Sequence, residues 1–126
     1  MNLPEQQYPS FKLNSKVSLI TGAARGLGKA CALALANAGS DIALGLRDIN
    51  TAEDLEQEIR AMGVKVIRLQ MDVSNLQQIN SSVERVVEEF GKIDVLVNNV
   101  GVAPDNPAEK VTEEDFPHKF DYTKEL

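Results

Sequence analysis

From Lys16 onward the chain alternates between short apolar runs and longer stretches whose apolar residues recur every three or four positions. Val17 to Thr21 is a run of the first kind, closed by Gly22, and predicts a buried strand. Gly26 to Ala38 follows, rich in alanine and leucine. It predicts a helix whose small residues Ala30, Ala34 and Ala38 approach a sheet, with Gly39 as its C-terminal stop. Ile42 to Leu46 predicts a second buried strand. Thr51 is placed to cap a second helix, whose apolar positions Ala52, Leu55, Ile59 and Met62 keep the helical period up to Gly63. Val64 to Met71, with its β-branched residues, predicts a third strand. Ser74 and Gln77 have capping-box spacing, and Leu76, Ile79, Val83, Val86 and Phe90 mark the buried face of a third helix ending at Gly91. Ile93 to Asn98 predicts a fourth strand. Strands alternating with helices in this way imply right-handed βαβ units, a parallel sheet and the α/β class.

The flanks are different in kind. Residues 1–15 hold two prolines and no sustained period; they read as an N-terminal tail that pins Phe11 and Leu13 against the body. After Gly101 comes a loop, then a capping-box start at Thr112 and Asp115. Pro117 interrupts that helix about five residues in, where a missing N–H and the ring both oppose it.

Composition narrows the function classes. The 126 residues suit one domain. A hydrophobic share of 43% supports a core, and a charged share of 25% is that of a globular chain. The net charge of −6 argues against a nucleic-acid partner, which needs a basic face. It does not oppose a phosphate site built from backbone amides and a few arginines. One cysteine, Cys31, excludes a disulfide framework, and with His118 as the one histidine a zinc site has no ligand set. No apolar run reaches the roughly 18 residues of a membrane span, and Met1 to Pro9 lacks the apolar centre of a signal peptide. The expectation is a cytoplasmic protein with no metal and no membrane partner.

The candidate chemistry lies in Thr21-Gly22-Ala23-Ala24-Arg25-Gly26-Leu27-Gly28, between the first strand and its helix. Glycines there serve a tight turn, close approach of backbone to a diphosphate and close packing of helix on strand. The helix start adds free amides and partial positive charge. A P-loop fails, because Ala30 stands where a serine or threonine would hold magnesium. A glycine-rich turn with no ligand remains the bland alternative.

That turn does not stand alone. Thr-Gly-x-x-x-Gly-x-Gly after the first strand, Asp72-Val73 after the third and Asn98-Asn99-Val100-Gly101 after the fourth form one ordered set. Together they resemble the short-chain dehydrogenase/reductase family over Lys16 to about Phe120. The resemblance implies a Rossmann-type doubly wound parallel sheet, incomplete at about four strands in the order 3-2-1-4, spanning residues 16–126. It further implies that Gly22, Arg25, Gly26, Leu27 and Gly28 border the diphosphate and adenosine end of a nicotinamide dinucleotide. Asp72 and the Val73 backbone would contact adenine, the lesser alternative for Asp72 being a solvated strand-end carboxylate or a helix-start charge. Asn98 would brace the central strands, and Asn99, Val100 and Gly101 would flank the adenine ribose. Val100 replaces the family's usual alanine and should crowd the site without closing it.

Coenzyme choice is expected near the end of the second strand, where an acid would hold a ribose hydroxyl and repel a 2′-phosphate. Leu46 occupies the aligned position, and beside it Arg47 offers forked donors that suit a phosphate monoester. NADP(H) is therefore favoured over NAD(H). Asp48 is a rival partner for Arg47, and an ordinary surface arginine is the alternative.

The family's proton-transfer groups, a serine and a Tyr-x-x-x-Lys pair on one helical face, find no counterpart. Tyr8 and Lys12 have the spacing, but Pro9 forces Tyr8 into an extended conformation and both precede the first strand. Tyr122 and Lys124 are two apart and diverge on a helix. Thr123 stands where the family has an asparagine. The expectation is a truncated cofactor-binding half, with no catalytic residues of its own. A non-catalytic dinucleotide-binding or interaction module and a non-functional truncation product are the alternatives. The apolar edge of the fourth strand suggests a homo-oligomer or association with a full-length relative.

Overall fold

A computed structural model of the chain describes residues 9–100. The elements run β1 (Val17–Thr21), α1 (Gly26–Asn37), β2 (Asp41–Leu46), a short 3₁₀ turn (Ile49–Ala52), α2 (Glu53–Ala61), β3 (Val66–Gln70), α3 (Leu76–Phe90) and β4 (Val95–Val97). The four strands form one sheet in the order β3-β2-β1-β4, and all three pairings are parallel. This is the expected incomplete Rossmann-type arrangement.

Strands inside such a sheet are covered on both faces, which is why β1 reads as an unbroken apolar run. All five of its residues are buried. On one face Ile20, Ile42, Leu44 and Leu46 pack with Ala32 and Ala36 of α1 and with Leu55 and Ile59 of α2. On the other, Val17, Leu19, Ala43, Leu69 and Met71 meet Ile79 and Val86 of α3. Polar atoms within the core are satisfied. The Ser18 and Ser40 hydroxyls lie 2.7 Å apart, and the Ser40 hydroxyl also donates to the Asp41 carbonyl at 2.9 Å. At the opposite end of β1 from Thr21, the Val17 N–H donates to the Asp94 carboxylate at 2.8 Å, fixing the approach to β4.

Several local expectations are corrected. The small-residue stripe of α1 that meets the sheet is Gly28, Ala32 and Ala36; Ala30 and Ala34 are exposed and Ala38 is half-buried. The two stripes are two residues apart, about 200° around the helix. The Ser74–Gln77 capping box is not used. Asn75 caps α3, its side chain accepting from the Gln78 N–H at 3.2 Å, while Ser74 turns back to Asp72. Leu76 and Val83 are exposed, and Ser82 takes the inward place because its hydroxyl finds the Gln70 carbonyl at 3.1 Å. Thr51 does not cap α2. Asp48 caps the preceding 3₁₀ turn by accepting from the Asn50 N–H at 3.0 Å, and the Thr51 hydroxyl donates to the Asp48 carbonyl. Phe11 is 86% exposed and pins nothing; it is the Leu13 N–H, donating to the Ala38 carbonyl at 2.7 Å, that ties this segment down. β4 pairs with β1 over Val95 to Val97 only, a shorter strand than Ile93 to Asn98. The features expected at Thr112, Asp115 and Pro117 lie outside the described residues.

Candidate cofactor site

Parallel strands bring all their carboxyl ends to one edge, and helices following them start there. At that edge β1 ends in Thr21, which is fully buried. Its hydroxyl donates to the Val97 carbonyl at 3.3 Å and accepts from the Asn99 N–H at 2.9 Å. The Asn99 side chain donates in turn to the Gly22 carbonyl at 3.3 Å, and the Ala23 N–H donates to the Gly45 carbonyl at 3.3 Å. The turn after β1 is thus bolted to β4 on one side and to β2 on the other.

Two glycines of the turn have separate reasons to be glycine. Gly22 sits at φ +62°, in the left-handed region that side chains avoid. Gly28 has no unusual φ, but a Cβ there would overlap the Gly22 carbonyl oxygen and stand 2.5 Å from Asn99 Nδ2. Helix α1 therefore enters against bare backbone. Arg25 precedes it in extended conformation, φ −159° and ψ 171°, without a side-chain cap, and its first turn holds no acidic residue. By contrast α2 begins with Glu53, Asp54 and Glu56, and α3 is capped by Asn75. Among the described helices, α1 alone offers an N-terminus compensated by neither cap nor acid, the arrangement that favours an anion.

A cleft of about 730 Å³ opens over this start. Gly22, Ala23, Ala24 and Arg25 form its floor on the β1 side. Leu46, Arg47, Asp48 and Thr51 line it after β2, Met71, Asp72 and Val73 after β3, and Asn99 and Val100 after β4. Of the residues expected from the sequence, Gly22, Arg25, Arg47, Asp72, Val73, Asn99 and Val100 come together here. Gly26, Leu27 and Gly28 stand at the start of α1 without lining the cleft, and Leu27 is 77% exposed. Gly101 lies outside the described residues. Val73 has a buried side chain, so what it presents to the cleft is backbone. The bracing expected of Asn98 is carried by Asn99 and Thr21, since Asn98 is exposed. Ala23, Ala24, Thr51 and Met71 are lining residues that sequence reasoning misses. Thr51 reads there as a helix cap, and the small or apolar others carry no chemical signal beyond their place at strand ends.

Charge in the cleft is organised around Asp72 and Arg47. The Ser74 hydroxyl, 2.6 Å from Asp72 Oδ1, and the Ser74 N–H at 3.0 Å hold the Asp72 carboxyl below its usual range; partial burial opposes them and the Arg47 charge adds to them. A depressed carboxyl contributes stability that is present above the unfolded value of roughly 3.9 and is lost as pH falls through the folded one. Ser74→Ala should therefore raise the Asp72 pKa towards the ordinary value, shrinking that contribution and completing its loss at a higher pH. An NMR titration of the Asp72 carboxyl checks this, and an unmoved midpoint would show that Ser74 is not the cause. Asp48, the expected rival for Arg47, spends its carboxylate on the Asn50 amide. None of the ion pairs among the described residues includes Arg47.

A parallel sheet in this order, with a glycine turn and a bare helix start at its carboxyl edge, defines a Rossmann-like nucleotide-binding class of fold. Within that class the chain belongs to the short-chain dehydrogenase family, whose model matches residues 16–123. It is 42% identical over 111 residues to an uncharacterized oxidoreductase of Methylorubrum extorquens, covering 87% of this chain and 45% of the relative. It is 36% identical over 110 residues to the 3-oxoacyl-[acyl-carrier-protein] reductase of Staphylococcus epidermidis, covering 85% and 44%. Among solved structures, a short-chain type dehydrogenase/reductase from Mycobacterium marinum matches with TM-score 0.79 and 32% identity, over 90% of this chain and 44% of that one. A short chain dehydrogenase from Burkholderia cenocepacia, in complex with NADP, matches with TM-score 0.76 and 32% identity, over 90% and 46%. The chain thus spans under half the length of these relatives. Among the described residues no helix is long and apolar enough to cross a membrane.

Proposed function

We propose that this chain is the NADP(H)-binding portion of a short-chain dehydrogenase/reductase-type oxidoreductase, with residues 16–126 as the binding unit and 1–15 as a tail. The observation that carries this is the entry of α1. Gly28 lies too close to the Gly22 carbonyl for any Cβ, so α1 starts tight against the turn, its uncapped end directly following Arg25 at the edge of the cleft. The donor set fits a dinucleotide. The Gly22–Gly28 turn and Arg25 hold the diphosphate, Asp72 and the Val73 backbone meet the adenine, and Asn99, Val100 and Gly101 flank its ribose. Arg47, with no acid at Leu46 and Asp48 otherwise engaged, takes the 2′-phosphate. The Burkholderia relative's complex with NADP supports binding of a coenzyme of this kind.

When bound, the nicotinamide supplies hydride exchange with a carbonyl or carbinol carbon. This chain's own residues bind and orient the coenzyme; the serine and the Tyr-x-x-x-Lys pair that move the proton in the family have no counterpart in the sequence. A dinucleotide-binding module without chemistry is a second reading, and it shares the same cleft. Titrating the chain with NADPH, followed by coenzyme fluorescence, should give saturable binding at least about tenfold tighter than NADH, the lower bound for one charge-assisted contact. A folded chain that binds neither coenzyme would remove both readings. Turnover of a carbonyl panel with NADPH would remove the second alone.

A further inference from the structure

The segment that carries Arg47 leaves the sheet immediately after β2. The last β2–β3 register pair is Leu46 with Gln70, and the Met71 N–H closes on the Leu46 carbonyl at 2.7 Å. Beyond that point no strand backbone is left to hold residues 47–49, and two side chains of β3 take over. The Gln70 carboxamide accepts from the Ile49 N–H through Oε1 at 3.1 Å and donates through Nε2 to the Arg47 carbonyl. One side chain thereby engages both exposed backbone groups of the bend, as a further strand residue would. Two residues earlier, on the same face of β3, Arg68 Nη1 donates to the Ile49 carbonyl at 2.7 Å. Arg68 is itself held by Glu56 of α2, with Nε 2.6 Å from Glu56 Oε2. Glu56 also accepts from Arg60 at 2.8 Å.

We propose that Gln70, backed by the Arg68–Glu56 pair, is a positioning residue for coenzyme choice: it fixes the backbone of residues 47–49 and so sets where the Arg47 guanidinium stands over the cleft. The inference rests on the coenzyme reading above, and extends it to residues that do not line the cleft. Its physical basis is preorganisation. An arginine on a free bend loses conformational entropy on meeting a phosphate, whereas one on a clamped bend has lost part of it already. The remainder of the coenzyme is held by the α1 turn and by the ends of β3 and β4, which Gln70 leaves in place. The clamp therefore affects the 2′-phosphate and little else.

The test compares NADPH and NADH affinity in the full chain for Gln70→Met, Arg68→Lys and Arg47→Ala. Gln70→Met keeps the length of the side chain and removes both hydrogen bonds. It should lower the NADPH-to-NADH affinity ratio about three- to tenfold, the span expected for contacts of this kind, with NADH affinity nearly unchanged. Arg68→Lys keeps the charge towards Glu56 and loses the second nitrogen, which reaches the Ile49 carbonyl, and it should move the ratio in the same direction. Arg47→Ala should lower it further, and Gln70→Met added to Arg47→Ala should then change nothing more. In the absence of coenzyme, the Ile49 amide should exchange faster in Gln70→Met. A ratio that stays at the parent value in Gln70→Met and Arg68→Lys while Arg47→Ala lowers it overturns the positioning role and leaves the coenzyme reading intact. A ratio unmoved by Arg47→Ala, or no binding by the parent chain, overturns the coenzyme reading and this inference with it. An Ile49 amide as slow in Gln70→Met as in the parent also overturns the clamp.

Discussion

Gly28→Ala is expected to reduce dinucleotide affinity about a hundredfold or more and to destabilise the chain at the same time. The added Cβ would overlap the Gly22 carbonyl oxygen and crowd Asn99 Nδ2. Neither neighbour is the free end of a flexible side chain: Gly22 O is backbone, and Asn99 is engaged in the bond that ties the turn to β4. The relief is for α1 to back away from the turn, a form of overpacking that costs about 1–3 kcal/mol. The same displacement withdraws the helix-start amides. Charge-assisted bonds contribute about 1.5–3 kcal/mol each, so misplacing two of them accounts for the hundredfold loss. Urea unfolding gives the first quantity and NADPH titration the second. Gly26→Ala is the control. Gly26 has φ +62° but nothing within 4 Å of its Cβ position, so its substitution should bring the backbone cost of about 1–2 kcal/mol without pushing α1 off the turn, and a smaller loss of affinity than Gly28→Ala. Equal loss of affinity from both substitutions at equal stability would show that close packing at Gly28 is not what builds the site.

Arg47→Asp should invert coenzyme preference. Loss of the guanidinium removes a contact of about 1.5–3 kcal/mol with a 2′-phosphate, roughly ten- to a hundredfold, and the carboxylate adds repulsion of the same group. NADPH affinity should fall by at least that factor while NADH affinity holds or rises, because an acid here can accept from the ribose hydroxyl. The adjacent position is unsuitable for the same exchange. Leu46 is fully buried among Ile20, Leu44 and Ala52, and an aspartate there would be an unpaired charge in the core. The effect should shrink as salt is raised, since Arg47 is solvent-exposed. Paired titrations at two ionic strengths read both features. An unchanged ratio of NADPH to NADH affinity would take Arg47 out of the site.

The parts of the molecule legible in the sequence are those where residue type and position agree on one environment. The strands are apolar runs because they are covered twice, and the loops at their ends show as glycine, aspartate and asparagine. Strand order came from the resemblance, and the fold has it. Legibility failed where one residue type occupies every side of an element. Helix α1 has alanine or glycine on nearly all its faces, so composition could not say that Gly28, Ala32 and Ala36, and not Ala30, Ala34 and Ala38, turn inward. It failed again where short polar residues compete for one amide. Ser74, Asn75 and Asp72 sit within four positions, and the choice of Asn75 as cap results from Ser74 being drawn to Asp72. Thr21 was legible only as a strand end, because its two hydrogen bonds, to Val97 of β4 and to Asn99 just past it, are a matter of register. Gln70 and Arg68 gave no signal either, as polar residues on a strand ordinarily face water.

Among the described residues, every bond that shapes the turn after β1 closes between Thr21 and Asn99. The turn also hangs from β1, the strand flanked on both sides by others. A change of register in either neighbouring strand would therefore be felt at the turn, because its anchors are backbone groups of those strands and of the residue just past β4.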